Sequence, residues 1–185
     1  MRRSFALLST LLAALALGAC GHKQDEYLHG INEGSYLDLG ELKYQVQISR
    51  ILNPNALEDR AYLVGLSEAE TELKVGEQWF AVFIRVQNET DEPKRAATDY
   101  RITDTQETVF RPLVLAPENV FAFRGGNVAP HNLLPQPDSP AEQGSIQGSL
   151  LLFKMPNANL ENRPLEFSIR NPAVTDKVAS VDLDI

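Results

Sequence analysis

The sequence is poor in the residues that build metal cages and disulfides. It holds one cysteine, Cys20, so an intramolecular disulfide is impossible and no sulfur staple can hold a domain together. Its three histidines, His22, His29 and His131, follow no repeated spacing and have no second cysteine to join them, which argues against a zinc cage. Of the two methionines only Met155 lies beyond the first residue, too few soft ligands for copper delivery. Positive charge is also short, at 17 Lys plus Arg against 25 Asp plus Glu. No basic stripe with interleaved aromatics occurs, so nucleic acid is excluded as a partner. Ser35, Ser145 and Ser149 follow glycines without forming a nucleophile elbow. No cofactor is expected.

The strongest positive signal lies at the start. Arg2 and Arg3 precede an uncharged run from Phe5 to Leu17, rich in Ala and Leu, with the length of a signal h-region. The run is too short to span a bilayer, which needs about 20 apolar residues. It ends in Leu17, Gly18, Ala19 and Cys20. That tetrapeptide resembles the lipobox of bacterial lipoproteins. The resemblance implies cleavage after residue 19, a diacylglycerol on the Cys20 sulfur, and an address on the extracytoplasmic face of a cell membrane, or an outer membrane in a Gram-negative host. Two acyl chains suffice for lasting attachment, at about 0.8 kcal/mol per buried methylene. An ordinary secretory signal is the alternative, and Arg2, Arg3 and Phe5 faintly resemble a twin-arginine signal.

Removing residues 1–19 takes the formal net charge from −8 to about −10. An anionic lipid surface repels such a domain. Residues 20–34 then read as the lipidated N-terminus and a flexible tether containing Gly21, Gly30 and Gly34, unless Tyr27, Leu28 and Ile31 dock. Residues 35–185 are enough for one domain with one core.

That domain is expected to be all-β. Leu42, Tyr44, Val46 and Ile48 alternate with polar residues, the period of a strand buried on one face. Trp79 to Val86 is apolar on both faces, as a central strand is, and becomes wet toward a polar turn starting at Asn88. Further strands are expected at 100–103, 108–115, 119–123, 145–155, 165–170 and 178–185, with Pro112 at an edge or bulge. One helix start stands out, where Ser67 and Glu70 are spaced as a capping box, Glu70 and Lys74 as an ion pair, and Gly76 as a stop. Seven or eight short strands with almost no helix indicate a two-sheet antiparallel sandwich.

Three segments carry a family resemblance. Leu42 to Ser49, Trp79 to Asn88, and Gly148 to Phe153 stopped by Met155 and Pro156 together resemble the immunoglobulin-like, telokin-like domains of unknown function in secreted and lipid-anchored proteins of Gram-positive bacteria. The resemblance covers nearly the whole domain and implies a fold, not an activity. The stretch from Gly125 to Gly144 is longer than the family leads one to expect.

Two regions are candidates for function. Asp99, Asp104 and Glu107 surround one expected strand and turn, and as an acid and base pair they would suit an envelope hydrolase. Asp104 and Thr105 fit a turn better, and Asp182 and Asp184 fit the wet face of a last strand. The other region is a stretch of about 20 residues without periodicity, a length typical of binding loops. It contains Arg124, Asn127, His131, Leu133 and Leu134. The leucine pair, flanked by Pro130 and Pro135, either packs over Phe121 and Phe123 or forms an exposed patch, and packing is preferred. These features favour a non-catalytic binding or structural module facing an envelope protein or polymer, or a subunit of an envelope complex.

Overall fold

The computed structural model describes residues 26–30 and 32–184. The signal run and Cys20 therefore lie outside the described residues. Among the described residues twelve strands occur: β1 (Glu26–Gly30), β2 (Tyr36–Leu39), β3 (Leu42–Leu52), β4 (Glu77–Asn88), β5 (Lys94–Arg95), β6 (Asp99–Thr103), β7 (Val109–Phe110), β8 (Asn127–Val128), β9 (Leu133–Leu134), β10 (Ser149–Pro156), β11 (Glu166–Arg170) and β12 (Lys177–Asp182). Four short helices join them: α1 (Leu57–Tyr62), α2 (Glu68–Thr71), α3 (Pro140–Gln143) and α4 (Asn157–Leu160). One sheet runs β1-β12-β11-β6-β7 and the other β10-β4-β3-β2, with β9 added beside β4 and a separate β5-β8 ribbon.

The fold is an all-β sandwich, as the alternating patterns predict. Tyr44, Val46, Phe80, Val82 and Ile84 of one sheet face Ile102, Phe167, Ile169 and Val181 of the other in a single core. The second face of β4 and β10 is also covered. Trp79, Ala81, Phe83, Leu150 and Leu152 form a second cluster under Leu52, Tyr62 of α1 and Leu115. Burial on both faces is why Trp79 to Val86 is apolar throughout. Lys154 sits 5.1 Å from the centre of the Trp79 ring, closing the end of this cluster with a cation over the indole face.

Four expectations need correction. Residues 26–30 are not tether: β1 pairs in parallel with β12, from Glu26 opposite Lys177 to Gly30 opposite Val181, and Leu28 packs on the core. The named strands of the sandwich are therefore paired antiparallel except at this edge. Ile48 does not share the buried face of Val46, because the register of β3 against β4 shifts between them. The bulge turns Ile48 outward, 38 % exposed, and Ser49 inward. Gly148 lies against it, and a Cβ there would stand 3.2 Å from Gln47 Cγ and 3.0 Å from Phe83 Cβ.

The third correction concerns 108–115 and 119–123, which are strands only at Val109–Phe110 and at a single bridge from Ala122 to Leu150. The fourth concerns helix starts. Ser67 makes no side-chain cap, and Glu70 pairs with Lys154 at 3.1 Å, so the capping box and the Glu70 to Lys74 pair do not form. The chain turns here through one helical turn only, and α1, whose start carries no capping side chain, gives no sequence signal at all.

Candidate functional site

The irregular chain after β7 covers the open edge of β10. Pro112 lacks an amide donor and the chain leaves the sheet around it. Leu113 N–H donates to the Leu152 carbonyl at 2.7 Å, and further along Phe123 N–H donates to Leu150 O at 2.8 Å. Two loop segments, 112–115 and 122–125, thus lie along one strand edge and protect it from pairing with another chain.

Two polar side chains, the buried Asn119 and the exposed Arg124, fix these segments in place. Asn119, 2 % exposed, donates from its amide to Tyr62 O at 2.9 Å and Val64 O at 2.8 Å, and accepts from Phe121 N–H at 3.0 Å. The Arg124 guanidinium donates to the carbonyls of Leu115, Ala116 and Asn119 at 2.5, 2.5 and 3.0 Å. Gly65, at φ +78°, lets the chain approach Ala116 closely enough for Ala116 N–H to reach its carbonyl at 2.7 Å.

Between the segments is a cleft of about 330 Å³. Leu113, Leu115, Phe123, Leu150 and Leu151 give it apolar walls, and Tyr100 of β6 reaches it from the other sheet. Tyr100 is 3 % exposed, its ring edge-on to Phe123 at 5.2 Å and stacked on Phe167 at 6.1 Å. Its hydroxyl has no hydrogen-bond partner among the described residues. Burial first, and then the neighbouring Tyr44, hold its pKa well above the ordinary range, so it stays a neutral donor. A buried hydroxyl left without a partner costs about 1–3 kcal/mol. On the far side of the 122–125 wall lies a second cleft of about 270 Å³, touched by Val120, Leu134, Pro135 and Ser139. Ser139 Oγ is likewise unpartnered. Val114, 91 % exposed, and Val120, 54 % exposed, stand at the two rims.

The residues singled out in the sequence divide unequally over this geometry. Arg124 borders both clefts and Leu134 the second. Leu133 and Leu134 are half-buried in β9, opposite Gln87 and Val86, with Leu134 and Phe123 against the main core and Phe121 in the second cluster. Asn127 is in β8 opposite Arg95, and His131 pairs with Asp91 at 2.8 Å on the surface, so neither reaches a cleft. Leu113, Ala122 and Tyr100 were not singled out, since nothing in an apolar run marks which face borders a gap.

The carboxylate trio does not converge. Asp99 is held by Arg101, at 2.9 Å from its Nε, and by Arg111 at 2.9 Å, and the Arg101 bond above all lowers its pKa. Asp104 is buried, which raises its pKa, yet hydrogen bonds from Asn159, Asn162 and the amides of Thr108 and Gln106 bring it far below the usual carboxylate range. Glu107 is an exposed turn residue at φ 63°. A general acid needs a raised pKa, and these shifts run the other way, so the hydrolase reading loses the residues it rested on.

Asp104 instead locks the β6–β7 turn to α4. Its folded pKa is lowered, so its stabilisation is complete above the unfolded value of about 3.9 and is lost as pH falls below it. The urea midpoint of the wild type should drop more between pH 5 and pH 2 than that of Asp104→Asn. Parallel pH curves for the two proteins would show that Asp104 carries no such linkage.

Fold and site together define an all-β sandwich with loop-built apolar clefts and no converging ionisable groups at them. Among solved structures the chain is similar to the yjhA protein from Bacillus subtilis, with 12 % identity over 84 % of this chain and 100 % of that one and a TM-score of 0.56. It also aligns with an uncharacterised β-sandwich protein from Clostridium difficile 630, at 7 % identity, coverage of 87 % and 97 %, and TM-score 0.47. A third is the Bacillus subtilis protein ycdA, a candidate lipoprotein, at 9 % identity over 81 % of this chain and 38 % of that one, TM-score 0.44. No family model and no curated protein matches the sequence. The yjhA likeness, at that identity, shows a shared fold.

Proposed function

We propose that the chain is a lipid-anchored, non-catalytic binding module on the extracytoplasmic face of a membrane, docking an envelope protein by receiving an apolar side chain in the cleft. The cleft itself, walled by Leu113, Leu115, Phe123, Leu150 and Leu151 and with exposed Val114 at its rim, carries this reading. Apolar walls with a few polar side chains, here Thr98 and Arg124, are what a seat for a small group requires. A protein side chain suits them better than a sugar, whose hydroxyls would find few partners there. Exposed valines at both rims extend the apolar surface beyond the clefts.

The anchor rests on the residues from Leu17 to Cys20, and the telokin-like kinship remains part of the same reading. No helix among the described residues is long and apolar enough to cross a membrane. Because β1 starts at Glu26, five residues link Cys20 to the sandwich, a span of at most about 20 Å. The domain then works close to the lipid surface, held off it by net negative charge.

A photo-crosslinking residue at position 114 in intact cells tests the seat. It should give a discrete protein adduct, and Ala122→Leu, which fills the cleft wall, should reduce that adduct about tenfold with melting unchanged, the equivalent of 1.4 kcal/mol. An adduct indifferent to Ala122→Leu, or one only with envelope polymer, would overturn the proposal.

A further inference from the structure

The N-terminal strand brings together residues that the linear chain keeps far apart. His29 of β1 lies opposite Ser180 of β12, and Asp182 of β12 lies opposite Glu166 of β11. Side chains two apart on a strand share a face, so the four project from the same outer side of the sheet. His29 Nδ1 is 3.0 Å from Ser180 Oγ and 4.0 Å from Glu166 Oε2, and Nε2 is 3.7 Å from Asp182 Oδ2. One ligand atom from each of His29, Glu166 and Asp182 falls within 4.8 Å of the other two.

We propose that His29, Glu166 and Asp182 bind a divalent transition-metal cation of the zinc or manganese type, and that the ion fastens β1 to the sandwich. The two carboxylates stand directly opposite each other across neighbouring strands, an arrangement that repels unless a cation lies between them. Ser180, 1 % exposed, contacts one ring nitrogen of His29 and so sets the ring plane, the arrangement by which a neighbouring group orients a metal-bound imidazole. One imidazole nitrogen with two carboxylate oxygens is a donor set for zinc or manganese and not for a soft ion such as copper(I). Bonds of about 2.1 Å around a tetrahedral ion place ligand atoms roughly 3.4 Å apart. Small side-chain rotations close the present separations to that value.

The side chains are 44 %, 40 % and 36 % exposed for His29, Glu166 and Asp182, so water completes the coordination and the site is open. Its position matters for the anchored chain. β1 is the edge strand next to the N-terminal segment, and it pairs with β12 in parallel. A bridge from β1 to both β11 and β12 would fix that edge at three points. This inference is independent of the cleft, which involves none of these residues.

The test is calorimetric titration of zinc chloride, and separately manganese chloride, into the full-length protein purified in detergent and stripped with chelator. The expected result is one equivalent bound with micromolar or tighter affinity for at least one of the two. His29→Gln and Asp182→Asn, both at exposed positions, should each weaken it at least tenfold without changing the melting of the metal-free protein. Amide exchange over residues 26–30 should slow on adding the bound metal in the wild type alone. No binding up to millimolar metal would overturn the proposal. So would binding that both variants retain, which would place the ion elsewhere, for instance at His131 and Asp91.

Discussion

Ile84→Asp is expected to abolish the cooperative thermal transition. Ile84 is fully buried in β4, opposite Val46 on one side and Ser149 on the other, at the centre of the sheet that carries both hydrophobic clusters. A carboxylate there has no cation to pair with. Effective burial of an unpaired ion costs several kcal/mol, against a total stability of about 5–15 kcal/mol for an ordinary domain. Ile84→Val, which removes one methylene, should cost only about 0.5–1.5 kcal/mol and keep the transition sharp. Circular dichroism melting of the three proteins decides the matter. A wild-type curve from the aspartate variant would remove Ile84 from the core and with it the register of β4.

The second large effect is expected at Asn88. This side chain is fully buried at the end of β4, and its amide faces the carbonyls of Glu92, Val128 and Ala129 at 2.7, 2.9 and 3.1 Å. Its carbonyl oxygen accepts from the Thr90 amide at 3.0 Å and from the Thr90 hydroxyl at 2.8 Å. One residue therefore closes its own turn and ties down the stretch that leads to β9. Asn88→Ala leaves several of these groups without partners at about 1–3 kcal/mol each, and some regain water, so a net loss of about 3 kcal/mol is expected. Asn88→Asp should do no better, since it keeps the acceptor but has no donor and brings a charge. Urea midpoints measure both. An aspartate variant as stable as the wild type would show that the donated bonds contribute nothing.

Asn88 also shows where the chain could be read and where it could not. The polar residues after Val86 mark a turn, and the turn is there. Nothing in the sequence says that its first residue is buried and holds backbone 40 residues away. Strands β3, β4 and β10 were legible because burial on one or two faces leaves a period in the sequence. The bulge after Val46 was not, because an extra residue changes the phase without changing the residue types. The tether was misread for a related reason. Residues 26–30 are polar on one side and short, and become a strand only through pairing with residues about 150 positions away. That same pairing gathers His29, Glu166 and Asp182, which no spacing in the sequence connects. The stretch from Gly125 to Gly144 stood out as aperiodic, and it contains two short strands and a helical turn. Arg124, at the head of that stretch, spends its charge on three carbonyls. The cleft it borders depends on Tyr100, Leu113 and Ala122, whose residue types are those of any core.

The account depends most on the covalent tie between this sandwich and a membrane, since a freely diffusing domain would not need to dock five residues from lipid. Mass spectrometry of the N-terminal peptide from membrane-extracted protein tests it. The mature chain should begin at Cys20 and carry a diacylglyceryl group on sulfur. A peptide starting elsewhere, or beginning at Cys20 with a free thiol, would contradict the account.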